Sequence, residues 1–313
     1  MNNPNPTDAD AVNVAAIDIG SNAARLLIKS ININSEQDIV PSKELFLRIP
    51  IRLGFDVFET GKISRLKADK LYRTIKAYKQ LMKLYNVDIY RATATSAMRD
   101  AANSREIIDR IAKRTGINIE VISGNEESQI IYDNHIPQLS KDTDYLFVDV
   151  GGGSTEVTLV CGGEKIFSNS YNIGTIRLLK SKVDEEIIKD LKADISSATA
   201  DVPDITIVGS GGNINKLYKL TLNGQKGDSG FTVEALRSIY NTLSALEINE
   251  RIEKFNLKTD RADVIVPAAY IFLLIADSIG CKQIIVPNRG LADGIIDRMA
   301  QTIIKKGKVK VLH

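Results

Sequence analysis

AAIDIGSNAARLLI, Ala15–Ile28, and LFVDVGGGSTEVTLV, Leu146–Val160, carry one pattern twice, with Asp18 of the first 131 residues before Asp149 of the second. In each, an apolar run ends in Asp, a hydrophobic residue and Gly. Small polar residues follow, then a second apolar run. Asp18 aligns with Asp149, Gly20 with Gly151, and the pair Leu26/Ile28 with Val157/Leu159. The register predicts strand, tight turn, strand, with glycines leaving backbone N–H groups bare at the turn. Nests of such N–H groups bind phosphate oxygens, and an Asp at the strand end can hold a metal or a water beside them. Two copies predict two related halves facing each other across a phosphate-binding cleft.

A chain of 313 residues has room for two such halves, each with its own core. Hydrophobic content of 43% and charged content of 26% place it among soluble globular proteins. The net charge of +2 exerts no global pull on nucleic acid or membrane, so neither is an expected partner. A polyanion has to be attracted locally. The N-terminal stretch MNNPNPTDADAVN has no basic or apolar segment of a secretory signal. The longest strongly apolar run, Val264–Ala276, falls short of the roughly 20 residues a membrane span needs and predicts a buried helix. Cys161 and Cys281 stand alone, without a CxxC, which argues against disulfides or structural zinc and for a reducing, cytoplasmic setting.

Further along, Glu44–Ile51 predicts strand and RLGFDVFETGKIS, Arg52–Ser64, a loop. From Ser64, Leu71, Ile75, Tyr78, Met82 and Tyr85 step at helical spacing. The same helix holds Lys70, Arg73, Lys76, Lys79 and Lys83, readable as a solvated face or as a basic rail for a phosphate chain. Strands at Val87–Ala92 and Asn118–Ile122 flank a helix beginning at Ser104, and SGNEESQIIYD opens another. After the second hairpin come a strand at Lys165–Ile173, a helix at Leu178–Ala200, and a strand at Ile205–Val208 feeding GSGG and the helix Asn213–Leu220. The remainder reads as helical apart from Gln283–Pro287. Strands alternating with helices, twice over, predict an α/β protein with duplicated mixed sheets.

Three glycine turns follow strands: Gly20-Ser21-Asn22, Gly151-Gly152-Gly153-Ser154-Thr155 and Gly209-Ser210-Gly211-Gly212. The second, straight after Asp149 and leading to Glu156, matches an anion cradle beside a metal. The third enters a helix, whose N-terminus adds partial positive charge. Arg25 and Arg99 are the guanidinium groups chosen to grip phosphate. Arg177 and Arg261 stay open between that role and a surface ion pair, and Arg289 receives no role. Ser123-x-x-Glu126 is a capping box, which accounts for Glu126. Glu127, about 100° further round the helix, is free either to aim a water at phosphorus or simply to favour the helix dipole. With only two histidines, no thiolate phosphatase loop and no GxxxxGK[ST], direct attack by water assisted by magnesium is the chemistry that remains.

The stretches AIDIGSNAARLLI, ATSAMRDAAN, EVISGNEES, FVDVGGGSTEV, NIGTIRLL, VGSGGNINKL and RADVIVPAAYIFLL…IIVPNRGLADGII resemble, in order and over nearly the whole chain, the exopolyphosphatase and guanosine pentaphosphate phosphohydrolase (Ppx/GppA) family. The resemblance implies the two-domain actin/Hsp70/sugar-kinase (ribonuclease H-like) fold with an interdomain cleft. Domain I would span 1–130, rejoined on one reading by a C-terminal helix 295–313, and domain II 131–294. It further implies magnesium or another divalent cation, hydrolysis of a terminal phosphoanhydride, and possible homodimers. Glu127 would be the catalytic base, and Asp149 and Glu156 the metal and water-positioning carboxylates. Ser21, Asn22, Arg25, Arg99, Gly152, Gly153, Ser154, Thr155, Gly211 and Gly212 would contact phosphates. Ala23-Ala24 replaces the family's usual Ser-Phe, Asn213 its common Thr, and Arg289 is more basic than usual, departures that bear on chain-length preference. The chain's length, with its tail Lys305, Lys306, Lys308 and Lys310, is expected of a short, two-domain form.

The expected activity is removal of terminal phosphate from inorganic polyphosphate. The alternative is the same chemistry at the 5′ end of guanosine pentaphosphate, for which no guanosine pocket is readable. An ATP-using kinase of the same fold and a non-enzymatic polyphosphate or alarmone sensor are the more distant alternatives.

Overall fold

A computed structural model describes residues 11–33, 39–135, 140, 142–222, 230–287 and 289–306. Two mixed sheets organise them. In the first, β1 (Val12–Ile19), β2 (Ala23–Ile33) and β3 (Ile39–Pro50) form an antiparallel meander, and β4 (Ile89–Ala94) and β5 (Ile119–Val121) continue from β1 in parallel, giving the order β3-β2-β1-β4-β5. In the second, β6 (Tyr145–Val150), β7 (Thr155–Cys161) and β8 (Glu164–Tyr171) repeat the meander, and β9 (Thr206–Ser210) and β11 (Gln283–Ile285) repeat the parallel strands. A short β10 (Gly230–Thr232), absent from the sequence reading, adds antiparallel to β11. Three residues at a sheet edge leave too little periodicity to detect. The duplication expected from the two hairpins is present strand for strand.

Helices cover these sheets because their apolar stripes require it. In α2 (Arg65–Leu84), Leu71, Ile75, Tyr78 and Met82 are buried as their spacing predicts, and Ser64 caps the start by accepting from Lys67 N–H. Lys70, Arg73, Lys76 and Lys83 face solvent. Lys79 is spent on the carbonyl of Thr115 at 2.5 Å. None of them lines the cleft described below, so the solvated-face reading is the one this placement favours. Helix α12 (Ile265–Ser278), containing the apolar run, is the buried centre of the second half, with Pro267 accommodated in its first turn. Among the described residues no helix is long and apolar enough to cross a membrane. Both cysteines are free thiols.

The structure departs from the sequence reading at three places. Arg52–Ser64 contains α1 (Gly54–Thr60), where Val57 and Phe58 are buried and Gly61, at φ 73°, ends the helix. That segment is too short for a periodic signal; tertiary burial of two side chains makes it helical. The single helix expected over Leu178–Ala200 is instead α6 (Thr175–Leu179) and α7 (Glu185–Ala198). Ser181 breaks it at φ 51°, and Asp184 starts α7 afresh by accepting from Glu186 N–H at 3.1 Å. Similarly, α3 (Ser96–Asp100) precedes the expected α4 (Ser104–Thr115).

The last helix, α13 (Leu291–Lys306), packs on the first sheet, where Ile295 and Ile296 meet Val14, Ala16 and Leu27. It also meets Ile130 of α5 (Gly124–His135). Residues 1–10 and 307–313, which include Lys308 and Lys310, lie outside the described residues.

Candidate active site

Both hairpins turn in the same way. Gly20 N–H donates to Ala23 O at 3.0 Å, and Gly151 N–H to Ser154 O at 2.9 Å. Each strand-ending aspartate then faces a partner across its hairpin: Asp18 opposite Arg25, Asp149 opposite Glu156. The first pair is a salt bridge, with Arg25 donating to the buried Asp18. The second is two carboxylates side by side. Like charges at that register raise the energy of both ionised groups unless a cation intervenes.

A third carboxylate joins them. Helix α5 can start hard against β8 because residue 124 is glycine; a Cβ there would fall 2.3 Å from Ser170 Oγ. Ser123 Oγ accepts from Glu126 N–H at 3.1 Å, as the capping box predicts. The Glu126 carboxylate does not reach back to complete that box; it binds Arg91 at 2.8 Å. Glu127, one residue on, turns inward and is 7% exposed. One oxygen each of Glu127, Asp149 and Glu156 lie within 4.8 Å of one another. Burial, then Glu156 and Asp149, raise Glu127 well above its usual range. Burial, then Asp149, raises Glu156, against hydrogen bonds from Ser154 and Ser170. Asp149 is pushed up to about 6, chiefly by burial.

Two buried carboxylates and a half-buried third held this close are costly unless a cation joins them. Glu127 Oε2 and Glu156 Oε2 are both buried without a hydrogen-bond partner. An all-oxygen acidic donor set with two unused oxygens fits magnesium or a similar hard divalent cation.

Around this cluster lies a cleft of about 330 Å³ at the carboxyl ends of the central strands. Gly20, Ser21 and Asn22 line it from one hairpin, and Gly151, Gly152 and Ser154 from the other. The third turn closes one end. Gly211, at φ 104°, places its backbone so near that a Cβ would lie 3.0 Å from Asp149 Oδ1, and Gly212 begins α8 (Gly212–Thr221). Opposite the acids stand cations that the sequence reading left open or did not consider. Arg261 lines the cleft beside Gly212, and its guanidinium donates to no described protein group. Burial, then Arg48, pushes it down to about 10. Arg48, opposite Arg25 in the β2–β3 register, was missed. It pairs with Asp260 at 2.6 Å, and its Nε is buried and unpartnered. Lys43 and Lys219 also line the cleft, as does Arg289, which pairs with Asp297.

The remaining expected residues are less directly placed. Arg99 donates to Ile122 O at 3.0 Å and does not line the cleft, although its charge lowers Glu127. Thr155 is fully buried, its hydroxyl donating to Ile173 O at 2.6 Å. Gly153 sits behind the cleft against Phe58 and Ser96. Arg177 takes the ion-pair alternative, bridging Gly153 O and Asp100 over the Phe58 ring. Ser170, whose hydroxyl donates to Glu156 Oε1 at 2.8 Å, carried no sequence signal. A lone serine on a strand has none to give.

A profile of the Ppx/GppA phosphatase family matches residues 47–303. The chain belongs to this family. Exopolyphosphatase 1 of Mycobacterium leprae is 24% identical over 305 residues, covering 91% of this chain and 88% of that protein. Guanosine-5′-triphosphate,3′-diphosphate pyrophosphatase of Aeromonas hydrophila is 22% identical, covering 96% of this chain but 64% of that protein. The crystal structure of the Aquifex aeolicus Ppx/GppA family member is 28% identical, with a TM-score of 0.73 over 96% of this chain and 100% of that one. The duplicated mixed sheets are thus the α/β architecture that this chain shares with a solved member of the family.

Proposed function

We infer that the chain is a divalent-cation-dependent phosphoanhydride hydrolase that removes the terminal phosphate of inorganic polyphosphate. Guanosine pentaphosphate is the alternative substrate, since it ends in the same anhydride and gives the Aeromonas hydrophila relative its name. The observation that carries this reading is the cluster of Glu127, Asp149 and Glu156 at a cleft that Arg25, Arg48, Arg261 and the three glycine turns also line.

The terminal phosphate lies against the turn amides of Ser21, Asn22 and Gly152, the Gly20 and Gly151 amides being spent on closing the hairpins. Arg25 and Arg261 offset the charge of the anhydride. Asp149 and Glu156 would hold the cation, which when bound would supply charge neutralisation to the phosphates. Glu127 accepts the proton of the attacking water; burial and the neighbouring Glu156 and Asp149 raise its affinity for that proton. Water oxygen bonds to phosphorus, the anhydride P–O bond breaks, and the products are orthophosphate and a chain shorter by one phosphate. Ser170 keeps Glu156 oriented while this happens.

Orthophosphate release from polyphosphate in magnesium, and its loss on adding a chelator, tests the reading. Transfer of labelled terminal phosphate to an organic acceptor would replace the hydrolase with a kinase. Tight polyphosphate binding without release would leave a sensor.

A further inference from the structure

We propose that Arg177 is a positioning residue, holding the second glycine turn from behind so that the Ser154 N–H faces the cleft. This rests on the reading that the turn binds phosphate. A plain surface ion pair does not account for Arg177. Its side chain is only 15% exposed, and one guanidinium serves three groups at once. Nε donates to Gly153 O at 2.7 Å, Nη2 donates to Asp100, and the central carbon lies 4.2 Å from the centroid of the Phe58 ring.

Every carbonyl of the glycine run is tied down on the side of α6. Thr175 N–H donates to Gly151 O at 3.0 Å and Ile176 N–H to Gly152 O at 2.8 Å, while the Arg177 side chain takes Gly153 O. A trans peptide is planar, so its N–H points opposite to its C=O. Each tied carbonyl therefore turns the next amide away from α6. Gly152, Gly153 and Ser154 N–H donate to no backbone carbonyl among the described residues, and Gly152 and Ser154 line the cleft. Helix α6 comes this close because residue 174 is glycine; a Cβ there would fall 2.4 Å from Gly153 N. Two of the three ties are backbone groups of α6. The third is a side chain anchored in the first half of the molecule, since Asp100 ends α3 and Phe58 belongs to α1. The same α3 touches the first hairpin turn, with Ser96 Oγ 2.8 Å from Ser21 Oγ. One short helix thus braces both turns.

Two substitutions separate this role from a salt bridge. Arg177→Lys keeps a charge for Asp100 but loses the fork that reaches carbonyl and carboxylate together. Asp100→Asn removes the charge and keeps an oxygen for the guanidinium. In magnesium, inorganic tripolyphosphate added to isotope-labelled wild-type protein should shift the Gly152 and Ser154 amide resonances. Arg177→Lys should lose the Ser154 shift and lower kcat on tripolyphosphate by about 10²-fold, the effect of a displaced contact near the reacting atoms. Asp100→Asn should keep the shift and lose far less activity. A Ser154 shift retained in Arg177→Lys overturns the proposal. Equal losses in the two variants also overturn it and assign Arg177 to the ion pair alone, and so does a wild-type turn that fails to respond to tripolyphosphate. If wild-type protein releases no orthophosphate while the Ser154 shift still depends on Arg177, the hydrolase reading fails and the positioning role stands.

Discussion

Arg25 and Glu156 occupy the same position in the two hairpins, each directly across from the strand-ending aspartate of its own half. One half has an ion pair there and the other a pair of carboxylates. The same backbone therefore makes one hairpin electrically complete and leaves the other in need of a cation.

Substitutions at these two positions should consequently move stability in opposite directions. Arg25→Ala leaves Asp18 buried and unpaired, and should destabilise by about 3–5 kcal/mol if burial of the charge is complete, somewhat less here because Arg25 is partly exposed. Glu156→Gln removes a repelled carboxylate and should raise the melting temperature of chelator-treated protein while weakening magnesium binding. Thermal melts with and without magnesium check both. A lower melting temperature for metal-free Glu156→Gln would contradict the electrostatic account.

The carboxylates should also give the metal-free protein a characteristic pH dependence. Asp149 is raised from 3.8 to about 6, and Glu156 from 4.5 to about 7, so the native state holds protons that the unfolded chain releases. Their stabilising contribution is complete below pH ~4 and is lost as pH rises through ~6–7, a tenfold change in proton affinity being worth about 1.4 kcal/mol. In chelator, the melting temperature should fall between about pH 5 and pH 8, less steeply for Glu156→Gln, and magnesium should restore it at the upper end. Parallel wild-type and variant profiles would sink the assignment.

Glu127→Gln keeps the shape of the side chain and removes its ability to take a proton. Orthophosphate release should fall by about 10²–10⁴-fold. Binding of tripolyphosphate, followed by calorimetry in magnesium, should persist. Turnover near the wild-type rate would remove Glu127 from the role of base.

Gly211 should tolerate no side chain without disturbing the acids. Alanine at φ 104° costs about 1–3 kcal/mol of backbone strain, and its Cβ would press on Asp149 Oδ1. Gly211→Ala should therefore lower both melting temperature and magnesium affinity. Gly61→Ala makes a fair control, since φ is 73° there with open space around it. It should cost stability alone. Equal magnesium affinity in the two variants would show that the contact with Asp149 is unimportant.

Much of the scaffold was readable from the chain because its signals are local. Asp-x-Gly at the end of an apolar run, repeated at Asp18 and Asp149, is enough to give two hairpins and a duplicated sheet. The step of Leu71, Ile75, Tyr78 and Met82 is enough to give α2. Glu127 was separable from Glu126 because a capping serine accounts for only one of them. What escaped were consequences of contact between distant segments. Val57 and Phe58 make a helix of an apparent loop only because another element covers them. Thr155 and Arg177 turn to the protein instead of the cleft because Ile173 and Asp100 lie within reach.

Local backbone preference and apolar periodicity are written into neighbouring residues, so strands, turns and the acidic character of the site followed from the string of letters. Which oxygens are left unpartnered at Glu127 and Glu156, and that Arg48 and Arg261 line the same cleft as Glu127, depend on burial and on distances between remote parts of the chain. Those exist only once the two halves have packed together.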